Sequence, residues 1–240
     1  MNAWNKEVYC ADLEKLATLI EKFDNEQIIK NAGCELYKAR SSIFGGLDQL
    51  IEVDSIEVIL KKKMSGTIPC DLDSVTIMFE MKCEFDMSLD ININDRIKKG
   101  YEFQIEVQGV NADGTHYNAW HLDKDIGQKE DNAAKVSHPS YHFQAGGDKL
   151  ENRQISSAIF LGAPRIPHPP MDIILGIHFI LSNYCSTKDY PFLINLFRDY
   201  DYEDIIERAR ERMFIPYFKA FKDINTHQDF TMENVFPMAV

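Results

Sequence analysis

Four of the seven histidines have neighbours that suggest a chemistry. His121 lies in "AWHLD", two residues ahead of Asp123; His138 and His142 frame "HPSYH"; His168 follows Arg165 in "PRIPHPP". Imidazole titrates near neutral pH, so two of these rings can serve as general acid and general base. The guanidinium of Arg165 has the fork geometry that grips a phosphate through two hydrogen bonds. Together they suit metal-independent RNA cleavage. One histidine takes the 2′-hydroxyl proton, another protonates the leaving oxygen, and the arginine balances the phosphorane charge. In that scheme His142 and His121 are acid and base, Arg165 holds the phosphate, and His138 or His168 assists. The same residues also have a plainer use: proline-flanked histidines bond to loop backbone, and Gly146-Gly147 makes a turn.

Other chemistries find less support. Pro139 bars an ordinary helix interior through His138 and His142, and on an extended segment the pair lies about 13 Å apart. No metal is therefore expected, and Glu80 and Glu84 read as a solvated face rather than an oxygen cage. The chain carries no phosphate-cradling glycine loop and no G-x-S-x-G elbow, so neither a nucleotide cofactor nor a serine nucleophile is expected. The five cysteines (Cys10, Cys34, Cys70, Cys83 and Cys185) include no C-x-x-C pair and read as free thiols of a reducing compartment. His178, inside an apolar run, reads as a core residue.

The elements that must position the histidines follow from periodicity. From Val75 to Ile93 nearly every odd position is apolar and the even positions are mostly polar, the mark of a long strand with one buried face. Tyr101 to Val107 repeats the pattern, "NADGT" supplies a hairpin turn, and "HYNAWHLD" returns. Further strands are expected at "YHFQA" and "SSAIFLG". If the last strands are neighbours, His121, His142 and Gln144 share one face and Tyr141 and Phe143 the other. Residues from about 3 to 64 read as helical. Leu13, Leu16, Leu19, Ile20 and Phe23 form one stripe, and Asn25 is taken to cap a second helix carrying Ile28, Ile29, Leu36 and Tyr37, broken at Gly45-Gly46. From about 169 to 222 the chain reads as helical again. Pro169 and Pro170 introduce the buried helix "IILGIHFIL", and the amphipathic "YEDIIERARERMF" is expected to stop near Pro216. The expected architecture is a single α+β domain over residues 1–240, with an antiparallel sheet of about five strands packed against N-terminal and C-terminal helices.

Charge narrows the partners. A net charge of −12 argues against non-specific DNA binding, since phosphate grips are basic and the one compact basic cluster is Lys61-Lys62-Lys63. An RNA substrate remains open, because net charge does not fix the potential inside one cleft. No apolar run is long enough to cross a membrane, and the N-terminus lacks a leader pattern. A cytoplasmic protein is expected. The acidity favours a second reading: a non-catalytic adaptor or inhibitory partner protein docking on a basic one. Convergence of the histidines and Arg165 on one concave pocket would separate the enzyme from the adaptor.

The order "YEFQIEVQGVNADGTHYNAWHLD", "HPSYHFQAGG", "PRIPHPPMDIILGIHFILSNY" resembles a group of bacterial proteins in which a small sheet ends in an H-P-x-x-H strand, an R-I-P segment and an apolar helix. It is also similar to TumE-like toxins of toxin–antitoxin modules. The resemblance spans about residues 100 to 185. It implies a component of a toxin or phage-defence system, RNase activity being proposed for some of the relatives, the matching positions being His121, Asp123, His138, His142, Arg165 and His168. The longer N-terminal block and the acidity depart from the toxin pattern, and both weigh against nucleic-acid cleavage.

Overall fold

In a computed structural model of the chain, the described residues are 5–45, 49–64, 66–67, 69–86, 95–98, 100–124, 139–151, 153, 165–219 and 230–237. They form an antiparallel meander in which each strand pairs with its sequence neighbour: β1 (Ile29–Lys30), β2 (Gln49–Leu60), β3 (Ser74–Phe85), β4 (Glu102–Asn111), β5 (Gly114–Lys124), β6 (Tyr141–Ala145) and β7 (Ile166–Pro167). The sheet thus has seven strands, and the expectation of about five falls short. Four of the expected strands correspond to β3–β6; β1, β2 and β7 are not among them, and of these β1 and β7 are each two residues long, too short to leave a periodic signal.

The helices are α1 (Lys6–Phe23), α2 (Ala32–Gly45), α3 (Asp148–Glu151), α4 (Ile173–Tyr184), α5 (Phe192–Phe197), α6 (Tyr200–Lys219) and α7 (Met232–Val235). The stripe read for α1 is present, with Leu13, Leu16, Leu19 and Ile20 buried and Asn5 capping the helix through Val8 N at 3.0 Å. The second helix starts later than expected. Asp24, not Asn25, organises the connection: its carboxylate accepts from Ile28 N and Ile29 N at 3.1 and 2.7 Å. Gln27 and Asn31 take positive φ, which a helix cannot hold. Ile28 and Ile29 therefore lie ahead of α2, Ile29 opening strand β1.

The stretch expected to be helical up to residue 64 contains β2 instead. Ile51 and Val53, then Ile56, Val58 and Leu60, face the core, and the phase change coincides with a bulge between Val53 and Ile56. One extra residue there flips the alternation and hides it from a period-two reading. In β3 the odd residues from Val75 to Phe85 are buried as expected. The strand ends at Phe85, and residues 87–93 of the expected longer strand lie outside the described residues, as does "SSAIFLG". The β4–β5 turn is tight because Asn111 Oδ1 accepts from Asp113 N and Gly114 N, while Gly114 supplies a φ of 137° that favours glycine.

Helices cover the face of the sheet that carries Phe79, Phe103 and Leu122. α4 comes so close that a Cβ at Gly176 would sit 2.5 Å from the Phe79 ring, so glycine sets the helix–sheet distance. Asp172 caps α4 through Leu175 N at 2.9 Å. It also belongs to a buried ion cluster that the sequence did not reveal. Arg212, 2% exposed, reaches Asp12 on α1 at 3.3 Å and Asp172 at 3.2 Å. Arg208 grips Asp12 at 2.6 Å, and the Arg212 guanidinium lies 4.2 Å from the centre of the Tyr9 ring. Burial pushes the Asp172 carboxyl up; Arg212 pulls it back, and the net shift is upward. α6 does not stop at Pro216 but runs one turn further. Pro216 and Tyr217 are both buried, and the Tyr217 ring packs on Phe230, so tertiary contacts hold a turn that local propensity disfavours. No helix among the described residues is long and apolar enough to cross a membrane.

Candidate functional site

The β5–β6 register pairs His121 with Gln144 and Asp123 with His142, while Leu122 pairs with Phe143. His121, Asp123, His142 and Gln144 therefore stand on the face of the sheet opposite α4, over which the short α3 folds. Phe143 and Tyr141 stand on the helix side, the division that the alternation predicts. His121 and His142 are diagonal neighbours, about 7–8 Å apart between strands of this kind. His121 Nε2 lies 3.1 Å from Asp123 Oδ2 and Nδ1 lies 3.3 Å from the Gly146 carbonyl. Both ring nitrogens face acceptors, which favours the doubly protonated ring. Burial pulls its pKa down, but the Asp123 hydrogen bond and charge, the Gly146 carbonyl and Asp148 outweigh burial, so the net shift is upward.

His142 is nearly closed off, at 2% exposure, with Nδ1 3.3 Å from the Pro139 carbonyl. Beside it the α7 segment docks on the start of β6, where Ser140 N and Oγ both donate to Asn234 O. The turn after β6 folds back over the same face. Gly147 takes a φ of +88°, and a Cβ there would lie 2.7 Å from His121 Nδ1. Lys149 then pairs with Glu80 at 2.5 Å, and Arg153 with Glu106 at 2.7 Å while stacking on Tyr117.

The remaining expected site residues do not join this pair. His168 lies on the helix side, its ring 4.8 Å from Phe143 and flanked by Phe179 and Phe214. Its Nδ1 is 2.6 Å from the Pro169 carbonyl, and burial pushes its pKa down. The sheet thus separates it from His121 and His142. Arg165 immediately precedes β7; among the described residues no hydrogen bond or ion pair links it to a histidine, and its buried Nε has no hydrogen-bond partner there. His138 lies outside the described residues. Among the described residues no group of three or more histidine, cysteine or acidic side chains is placed to hold a metal.

A large concave surface among the described residues lies elsewhere. An open cavity of about 1030 Å³ runs along the outer side of α6 from Glu203 to Lys219, with His178 of α4 and Phe197 of α5 in its wall. Its C-terminal half is aromatic and aliphatic, built from Phe214, Ile215 (47% exposed) and Phe218 (49% exposed). Its N-terminal half carries Glu203, Glu207 and Glu211 in a row at i, i+4, i+8 with Arg210 among them, and Lys219 closes the far end; among the described residues no ion pair joins any of the three glutamates to a cation. His178 faces Tyr202 Oη at 3.1 Å, and burial together with Arg210 lowers its pKa to about 4, so the ring is neutral. The available signal was the glutamate row followed by Phe214 and Phe218 on the helix side that amphipathicity reserves for polar groups. No protein-family model, curated protein or solved structure matches the chain.

Proposed function

We propose that this chain is a non-catalytic, acidic binding protein that docks a segment of a more basic protein along α6. The observation carrying this reading is the groove itself, apolar at one end and edged by glutamates at the other, in whose wall His178 is neutral and hydrogen-bonded to Tyr202. Apolar surface of this extent, rimmed by charge, is characteristic of a protein–protein contact. The net charge of −12 steers a basic partner towards it. The histidines are used locally: three of them bond to loop carbonyls of Gly146, Pro139 and Pro169. The test is direct. Wild type and His121→Ala, checked for folding by circular dichroism, are incubated with total RNA, with and without divalent metal. Neither should cleave; cleavage by wild type that a folded His121→Ala protein lacks would overturn the reading.

A second reading, the toxin- or defence-type ribonuclease, is favoured by the His121–Asp123 pair and by the unpartnered Nε of Arg165. It requires His142 to reach a phosphate despite its enclosure. The same incubation decides between the two.

A further inference from the structure

The groove is polarised, and its polarity restricts what fits. Measured along the α6 axis, Glu203 to Glu211 spans about 12 Å, and the whole lined stretch to Lys219 about 24 Å, roughly four turns of helix. Three like charges at i,i+4 spacing repel one another, and a row of cations on a partner would relieve that repulsion. The aromatic half, by contrast, offers apolar surface with no acidic group between Phe214 and Phe218.

Resting on the binding reading above, we infer that the occupant is an amphipathic helix of another protein lying antiparallel to α6. Its apolar anchors sit in its N-terminal half against Phe214, Ile215 and Phe218, and its lysines or arginines in its C-terminal half against Glu203, Glu207 and Glu211. The direction follows from dipoles: cations are stabilised near the C-terminus of their own helix. The antiparallel arrangement brings that end to the glutamate row and sets the two helix dipoles head to tail. A second copy of this chain is a poorer occupant: in a symmetric antiparallel contact each glutamate row would face the other copy's apolar half, where Lys219 is the one cation among the lining residues to answer three carboxylates. An anionic lipid surface is disfavoured because it would bring like charges together.

The test uses full-length protein and four labelled synthetic helical peptides of about 16 residues, read by fluorescence anisotropy. One has leucine and phenylalanine in its N-terminal half and lysine in its C-terminal half. The others are its reversed-order version, a version with glutamate for lysine, and one with glutamine for lysine. The first should bind at least about tenfold tighter than each of the others, and its advantage should shrink with added salt. Glu203→Lys/Glu207→Lys/Glu211→Lys, all surface changes, should shift the preference to the glutamate peptide. Phe218→Ser should weaken all four. Equal binding of the lysine and glutamine peptides, or of the forward and reversed ones, overturns the inference while leaving a partner-binding groove standing. Dimerisation by sedimentation that Phe218→Ser abolishes would overturn it in favour of a second copy. RNA cleavage would instead overturn the underlying reading.

Discussion

Replacing Arg212 with leucine tests the buried ion cluster most sharply. Arg212 donates to Asp172 from Nε and Nη2 and to Asp12 from Nη1, at 3.2–3.3 Å. Asp12 keeps the two-pronged grip of Arg208 after the change. Asp172, fully buried, keeps the Leu175 N–H and loses its compensating charge. Removing one partner of a buried pair costs about 3–5 kcal/mol, a large part of a total stability of about 5–15 kcal/mol. Urea unfolding at constant m reads the loss. Its pH dependence identifies the cause. Asp172 has a folded-state pKa above the unfolded one, so over that interval the folded chain binds the extra proton and stability rises as pH falls. Removing Arg212 removes a charge that pulls this pKa down, which widens the interval. The loss should therefore shrink by more than about 1 kcal/mol between about pH 8 and about pH 5. Adding Asp172→Asn, which keeps an effective helix cap and deletes the charge, should return part of the stability. A loss identical at both pH values, or a double variant no more stable than Arg212→Leu, would refute the charge explanation in favour of packing.

Three further outcomes are expected. His168 and His178 have lowered pKa values in the fold, His178 to about 4. Their contribution is full above the unfolded value of about 6.5 and lost as pH falls towards the folded value; His178→Gln should flatten part of the acid limb of a urea-midpoint profile. His121 behaves oppositely: its raised pKa gives stability below the unfolded value that disappears as pH rises through the folded one, and Asp123→Asn should lower its NMR titration midpoint. Gly176→Ala drives a methyl to 2.5 Å from Phe79 and 2.9 Å from Phe103, an overpacking worth about 1–3 kcal/mol and visible as a lower melting temperature.

What the sequence discloses follows from whether a pattern survives local interruption. β3 reads plainly because its alternation is unbroken from Val75 to Phe85. β2 is as rich in apolar residues, yet its bulge at Asp54–Ser55 changes the phase, and the two halves cancel. β1 exists because of a side-chain contact, Asp24 to Ile28 and Ile29, which no periodicity encodes. In the candidate site, period two alone places His121, His142 and Gln144 opposite Phe143. His168 follows a proline-rich stretch with no period, so its side of the sheet is decided by the β6–β7 register. The α6 groove was hardest to see. Whether Phe214, Ile215 and Phe218 are core or surface depends on which other helices cover them, a property of the assembly and not of the helix.

The ion cluster also bears on the order of assembly during synthesis. The meander can zip progressively, each strand finding its partner just behind it in the chain. Asp12 has no such near partner: its arginines lie 196 and 200 residues further on. At about 5–20 residues per second of synthesis, α1 waits roughly 10–40 s for α6. Over that interval its apolar stripe of Leu13, Leu16 and Ile20 has α2 to pack against but not its C-terminal partners. On this ordering the sheet forms first, and the clasp closes when α6 reaches α1.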